Sequence, residues 1–207
     1  MNLSQLREAV YDLVGVPATD TLLTSAVVDR AVNQALHDAE VESEWPWLET
    51  SETVTTVAGT AAYATTALRS LYLAAPGQAS LALVEQRELD DRWGSGPATA
   101  AGRPRDYALW AGLLELRPVP DGAYAYTHRY YRAEPDLALG TDTPLLPASF
   151  HTAIVELAAA RVLRRNREEA RAAQSIAEWQ RWLARMRGHR RRSVGPSKVR
   201  LRNHSER

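Results

Sequence analysis

The spacing of apolar positions changes period twice along this chain. In residues 3–14, Leu3, Leu6, Val10, Leu13 and Val14 recur at spacings of three and four, which predicts one amphipathic helix. Asn2 or Ser4 can cap it, and Gly15-Val16-Pro17 ends it. Residues 22–43 predict a second helix, with a broad stripe of Leu23, Val27, Val28, Ala31, Val32, Ala35, Leu36 and Ala39 and an N-cap at Thr24 or Ser25. Asn33, His37 and Asp38 fall on its other faces. Two antiparallel helices cannot bury both stripes on each other, so a third element must cover them.

The period then drops to two. Residues 52–57 alternate Thr and Val, Ala58-Gly59-Thr60 turns, and 61–63 returns. Strands are expected at 68–73, 80–84, 106–110, 113–116 and 123–132. A short helix is expected at 85–93, where Leu89 and Trp93 stand four apart. The stretch 94–105 reads as a loop, and Pro118-Val119-Pro120-Asp121-Gly122 as the last turn.

Residues 130–163 join this β-rich region to the C-terminal part of the chain. A strand ends, a loop rich in Asp, Thr and Pro crosses, and a helix begins at Pro147, whose missing N–H suits a first turn. Leu146 should be extended, because it precedes a proline. Ile154, Leu157, Ala158, Arg161 and Val162 keep to one face, and this helix is the candidate cover for the N-terminal pair. Asn166 breaks it. Residues 167–187 continue helically and Gly188 stops them. The fold class is therefore α+β, mainly α. A helical bundle combines residues 1–50 with 136–188, a β-rich insertion occupies 51–135, and an extended basic tail takes 189–207.

Charge adds the tail's meaning. The chain is neutral overall, yet residues 1–160 hold 10 Arg against 21 Asp and Glu, a net −11. Residues 161–207 hold 14 Arg and Lys198 against 4 Glu, a net +11. Such asymmetry aims the basic end at an acidic partner. Arg suits bidentate pairing with carboxylate or phosphate, although a GC-rich genome also favours its codons. There is no cysteine, so disulfides and thiolate chemistry are excluded. No apolar run is long enough to span a bilayer, and no signal peptide is expected at the start.

Catalytic signals are sparse. His37, His128, His151, His189 and His204 stand at no metal-ligand spacing and beside no nucleophile motif. Ser149 and His151 share a helical turn, and His151 reads as a surface or capping residue. Gly94-Ser95-Gly96 lacks the Lys-Ser/Thr pair of a phosphate loop. Glu40, Glu42, Glu44, Glu49 and Glu52 read as a solvated rim around Trp45-Pro46-Trp47-Leu48. No enzyme activity, cofactor or metal is expected. Trp45 and Trp47 either pack where the helix hands over to the sheet or face a neighbouring subunit, and with Trp179 and Trp182 they are the subunit-interface candidates.

The order of motifs resembles one family. Trp-Pro-Trp-Leu at 45–48 is followed by Gly59 and Tyr63, then Arg-Glu-Leu-Asp-Asp-Arg-Trp at 87–93. Pro104 and Tyr107, Leu116-Arg117-Pro118-Val119-Pro120, Tyr130-Tyr131-Arg132, Asp142-Thr143-Pro144-Leu145-Leu146-Pro147 and an alanine-rich helix complete it. The chain resembles the head-to-tail adaptor, or connector, proteins of tailed bacteriophages and gene transfer agents. The resemblance implies a structural protein of the virion neck, assembled in the host cytoplasm. Such adaptors form a homo-oligomeric ring, usually of twelve copies, beneath the portal protein. They extend the channel through which genomic DNA passes without specific binding, and they support a tail-side neck protein (a stopper or tail terminator).

In that family the bundle lies between neighbouring subunits and the C-terminal segment reaches the portal. This makes Arg190, Arg191, Arg192, Lys198, Arg200 and Arg202 the expected portal contacts. No membrane partner is implied. Two other readings use the same features: a nucleic-acid-binding protein working through the Arg tail, and another neck component such as a tail-completion protein. The acidic body and the absence of a base-reading motif count against the first.

Overall fold

The computed structural model describes residues 1–94 and 100–193; for 190–193 it gives the backbone course alone. Two compact units emerge. One joins Met1–Pro46 to Glu134–Arg207, and the other is Trp47–Ala133.

The first unit is helical. Helix α1, Leu3–Val14, opens with a reciprocal capping box in which Asn2 and Gln5 each accept the other's backbone N–H. It closes on Gly15 at φ 76°, the left-handed conformation that favours glycine. Helix α2 spans Ser25–Val41, three residues shorter at its start than the periodicity predicts. Asp20 explains this: its Oδ1 accepts the N–H groups of Leu22 and Leu23 at 2.7 Å, holding both outside the helix. Thr24 occupies the N-cap position without a side-chain cap bond.

Pro147 is extended, with φ −55° and ψ 139°, and precedes a single 3₁₀ turn at Ala148–Phe150. Helix α4, His151–Arg165, comes directly after that turn. The chain breaks at Asn166, and Arg167 takes a positive φ of 63°. Helix α5 then runs from Glu169 to Ser193. It passes through Gly188, where the sequence predicts a stop. A helical glycine costs only about 1 kcal/mol relative to alanine. Met186 is fully buried just before it, and the His189 ring meets Phe150 edge-on at 5.5 Å just after it. These contacts hold the last turns helical.

Helix α4 packs on α1, α2 and α5. Its buried residues include Ala153, Ile154, Val155, Ala158, Ala159, Ala160, Val162 and Leu163, which cover most of its circumference. Four alanines among them allow close approach on several sides at once. The α2 stripe predicted to need a cover is buried within the unit at Val28, Val32, Ala35, Leu36 and Ala39.

The second unit has two sheets. Strands β1 (Glu49–Thr55), β3 (Ala67–Ala74) and β7 (Ala125–Arg132) form an antiparallel sheet in the order β1-β7-β3. Strands β2 (Ala62–Ala64), β4 (Ala82–Leu83), β5 (Asp106–Trp110) and β6 (Leu113–Arg117) form the other, in the order β2-β6-β5-β4, with β4 parallel to β5. Val54, Leu73, Tyr107, Leu114, Leu116 and Tyr126 make the core of this unit, flanked by Tyr63, Leu81 and Tyr124. Helix α3, Gln86–Trp93, packs on β5. Its attachment is polar: Arg92 and the Trp93 indole N–H both donate to Asp106 Oδ2, at 3.0 and 2.7 Å.

Candidate functional site

The loop at residues 134–147 connects the last strand to α4 and is built almost wholly from side-chain to backbone hydrogen bonds. Asn33 on α2 donates to Leu137 O and accepts from Leu137 N. One turn on, His37 Nε2 meets Asp136 at 2.8 Å, and Glu40 accepts the Glu134 N–H. The buried Glu134 carboxylate accepts from Leu145 N at 2.6 Å, and Asp142 from Ala138 and Leu139. Backbone carbonyls of Gly140 and Asp142 receive the N–H groups of Ser4 and Leu3, which are otherwise orphans of the first turn of α1. The polar residues on the outer faces of α2 thus position this loop. Asp38 pairs with Arg161, which also reaches Gln34 at 3.4 Å.

His151 is a buried residue, 1% exposed, where the sequence suggests a surface or capping role. Its Nε2 donates to Leu146 O at 2.9 Å, which leaves Nδ1 as the acceptor for the Met1 ammonium at 2.5 Å. Both ring nitrogens are occupied, so none remains to activate Ser149. Burial lowers its pKa below the ordinary value, and the ammonium adds to that.

His128 forms a chain that the sequence did not reveal. It is fully buried on β7, with Nδ1 3.0 Å from Glu52 and Nε2 3.0 Å from Ser70 Oγ. Ser70 Oγ in turn meets the Tyr107 hydroxyl at 2.7 Å, and Thr65 donates to Glu52 at 2.8 Å. Tyr130 stacks on the imidazole with centroids 4.8 Å apart. The connectivity is carboxylate, imidazole, hydroxyl. Ser70 is itself buried and shared with Tyr107, so its oxygen is tied into the core. Burial raises the Tyr107 pKa, partly offset by its bond to Ser70. The available signal was the period-two alternation on β7, which puts His128 on the same face as Tyr126 and Tyr130.

The acidic residues near Trp45 are partly exposed, as a rim would be, and several are also paired. Besides Glu40 and Glu52, Glu42 pairs with Arg187 at 2.8 Å and Glu49 with Arg129 at 3.4 Å. Among the described residues no cluster of three or more His, Asp or Glu is arranged to hold a metal ion. No described helix is long and apolar enough to cross a membrane.

The four tryptophans divide. Trp45 is 1% exposed and donates its indole N–H to Ala39 O at 2.6 Å. Trp179 is buried as well. Both are packed inside the chain's own core, which leaves them little surface to offer as contact anchors. Trp47 and Trp182 are half-buried, and Arg185 lies over the Trp182 ring at 4.7 Å. Large exposed apolar side chains include Leu22, Val41 and Leu139 in the helical unit, where Leu13 of the predicted α1 stripe is also exposed, and Val57, Leu68, Leu83 and Trp110 in the β unit.

The expected portal-contact residues lie at or beyond the end of α5. Arg190, Arg191 and Arg192 are on its final turn, with side chains outside the described residues; Lys198, Arg200 and Arg202 lie wholly outside them. The cations leading to them are partly engaged. Arg171 caps α1 by donating to Leu13 O and Val14 O, and Arg181 pairs with Glu178. Phe150, Ala184, Arg185, Gly188 and His189 line an open groove of about 520 Å³ beside this end of α5.

No curated protein matches the chain. The family model described as SU10 adaptor protein matches residues 1–202. That span takes in the motif order from Trp45 to Pro147, both units and most of the basic end. The chain belongs to the SU10 adaptor protein family, and its resemblance to the head-to-tail adaptors of bacteriophages is thereby borne out.

Proposed function

We propose that this adaptor forms a ring beneath the portal in the neck of the virion, extends the DNA channel and joins the head to tail-side neck proteins. Family membership over residues 1–202 is the observation that carries this reading. The distribution of charge supports it. Through Arg187, several described cations of the helical unit are answered within the chain, by Asp29, Asp38, Glu168, Glu178 and Glu42. The concentrated positive charge from Arg190 onward is what an acidic portal groove would meet.

The role is structural, with no chemical step. The helices form the bundle, and the ring brings many copies of the tail to the portal together. One exposed Arg–carboxylate pair is worth only about 0.2–1 kcal/mol. Repetition around a ring raises the effective concentration of each further contact. Trp47 and Trp182 are the aromatic candidates left for contacts between neighbours.

The test is truncation after Ser193 combined with Arg190→Gln, Arg191→Gln and Arg192→Gln, which removes all six cations and keeps the length of α5 and its His189–Phe150 contact. The truncated chain is expected to fold and to lose attachment to portal-bearing heads. Attachment at the full-length level would overturn the tail's role. Tight, salt-sensitive binding to duplex DNA without portal binding would favour the nucleic-acid reading.

A further inference from the structure

The three-stranded sheet has two edges of different character. On β3 the register shifts twice, between Ala67 and Arg69 and between Ser70 and Tyr72. Its far end is met by Leu81, whose N–H donates to Leu73 O at 2.8 Å. Bulges and cover are the usual means of blunting an edge. Strand β1 has neither. It pairs with β7 in unbroken register over seven residues and contains no proline, lysine or bulge. The edge strands of the other sheet are only three and two residues long.

The parity of β1 is set by one hydrogen bond. Thr56 N donates to Tyr124 O at 2.9 Å, so the residues that face β7 are those in step with Thr56. These are Thr50, Glu52 and Val54, opposite Tyr130, His128 and Tyr126. Glu49, Ser51, Thr53 and Thr55 turn their N–H and C=O groups the other way. None of these has a backbone partner among the described residues, and Ser51, Thr53 and Thr55 are exposed.

We propose that this edge receives residues 198–202 of a second copy of the chain as an added strand. Lys-Val-Arg-Leu-Arg alternates with period two, as a half-buried strand does. It carries three positive charges; β1 carries no cation, and on the face those charges would take it offers Glu49, which Arg129 shares, while Glu52 lies on the other face bonded to His128 and Thr65. In that pairing Val199 and Leu201 take the Val54 side. Lys198, Arg200 and Arg202 take the face of Glu49, Ser51 and Thr53, where Arg129 already pairs with Glu49. Five residue steps separate Ser193 from Lys198, about 17 Å when extended, so the proposal requires the receiving β1 to lie within that distance of the end of α5 of the neighbouring copy. This deepens the adaptor reading and rests on it, since the ring supplies the neighbouring copy. The cations remain on the outer face, in a row, for an acidic partner.

The chain has no cysteine, so introduced thiols are unique. Full-length chains carrying Ser51→Cys or Thr53→Cys are mixed with full-length chains carrying Arg200→Cys or Arg202→Cys and oxidised, both free and in assembled rings. A mixed disulfide is expected in one register, at about tenfold the yield of a Leu68→Cys control on the blunted edge. In parallel, a peptide of residues 196–204 is titrated into the full chain and amide exchange is followed. Exchange is expected to slow about tenfold at Glu49, Ser51, Thr53 and Thr55, with Thr50, Glu52 and Val54 unchanged. Thr53→Pro, which removes an outward N–H and no bond to β7, is expected to abolish both effects.

Several results would overturn the proposal. Disulfides between two Ser51→Cys chains would make β1 pair with itself. Closure within a single Ser51→Cys/Arg200→Cys chain would make the occupant its own tail. Neither disulfide nor alternate-residue protection at saturating peptide would leave the edge without this strand. Portal attachment is read separately, so a chain that joins the portal without strand addition sinks this proposal and spares the adaptor reading.

Discussion

The helical unit and the β unit handle backbone polarity in opposite ways. In the helical unit each helix closes its own ladder, and the orphan groups at the ends of α1 are met by Asn2 and Gln5, by Arg171, and by the carbonyls of Gly140 and Asp142. In the β unit one strand edge, β1, keeps outward groups without a backbone partner among the described residues. Two buried polar groups differ in the same way. His151 and Glu134 bond to backbone or the chain terminus, whereas Glu52, His128, Ser70 and Tyr107 bond to one another. A partner can therefore use side-chain charge on the helical unit and main-chain pairing on the β unit.

The largest expected effect tests the side-chain chain. Ser70→Ala leaves His128 Nε2 and the Tyr107 hydroxyl unpaired in the core, and it is expected to cost about 1–3 kcal/mol in urea unfolding. Adding Tyr107→Phe should recover part of that loss, because it removes one of the two orphaned groups. A neutral single substitution would show that the chain is not a coupled network.

A smaller effect separates the two neighbouring tryptophans. Trp45→Phe removes the N–H that meets Ala39 O and is expected to cost about 1 kcal/mol. The half-buried Trp47 should tolerate Phe within about 0.5 kcal/mol. Equal costs would erase the distinction between an internal anchor and a contact candidate. Smaller still, and opposite in sign, is Gly188→Ala. An added Cβ meets nothing within 4 Å, so the substitution should raise stability by about 0.5–1 kcal/mol.

The smallest effect is a pH dependence with two signs inside the helical unit. The His37 pKa is raised, first by its bond to Asp136 and also by Glu40, against some burial. Its contribution is full below the ordinary value of about 6.5 and fades as pH rises through the raised native value. The His151 pKa is lowered, chiefly by burial. Its neutral form favours folding above about 6.5, and that support is lost as pH falls. Proton NMR titration should find His37 titrating above, and His151 below, a free histidine. The reverse order would contradict the hydrogen bonds assigned to them.

Much of the helical unit was legible because stripe and burial coincide. Leu3, Leu6, Val10 and Val14, and Val28, Ala31, Val32, Ala35, Leu36 and Ala39, are buried as their spacing implies, whereas Leu13 is exposed. The ends were less legible. Asp20 delays α2 through an Asx-type turn, and Gly188 is carried through by contacts of Met186 and His189 that local propensity does not register. In the β unit the alternation located the strands but not their partners. Glu52, Ser70, Tyr107 and His128 come from four strands, far apart in sequence, and only the β1-β7-β3 order and the facing sheet bring them together. The tryptophans were ambiguous for a similar reason: an aromatic at an element boundary signals an anchor, while tertiary packing decides whether it points inward, as it does for Trp45.

The most direct measurement is native mass spectrometry of the full chain, alone and mixed with its portal ring. The adaptor account predicts a complex in which one copy of this chain joins each portal subunit, with that stoichiometry lost when truncation after Ser193 is combined with Arg190→Gln, Arg191→Gln and Arg192→Gln. A chain that leaves the portal ring at its own mass, whatever its concentration, would contradict the account.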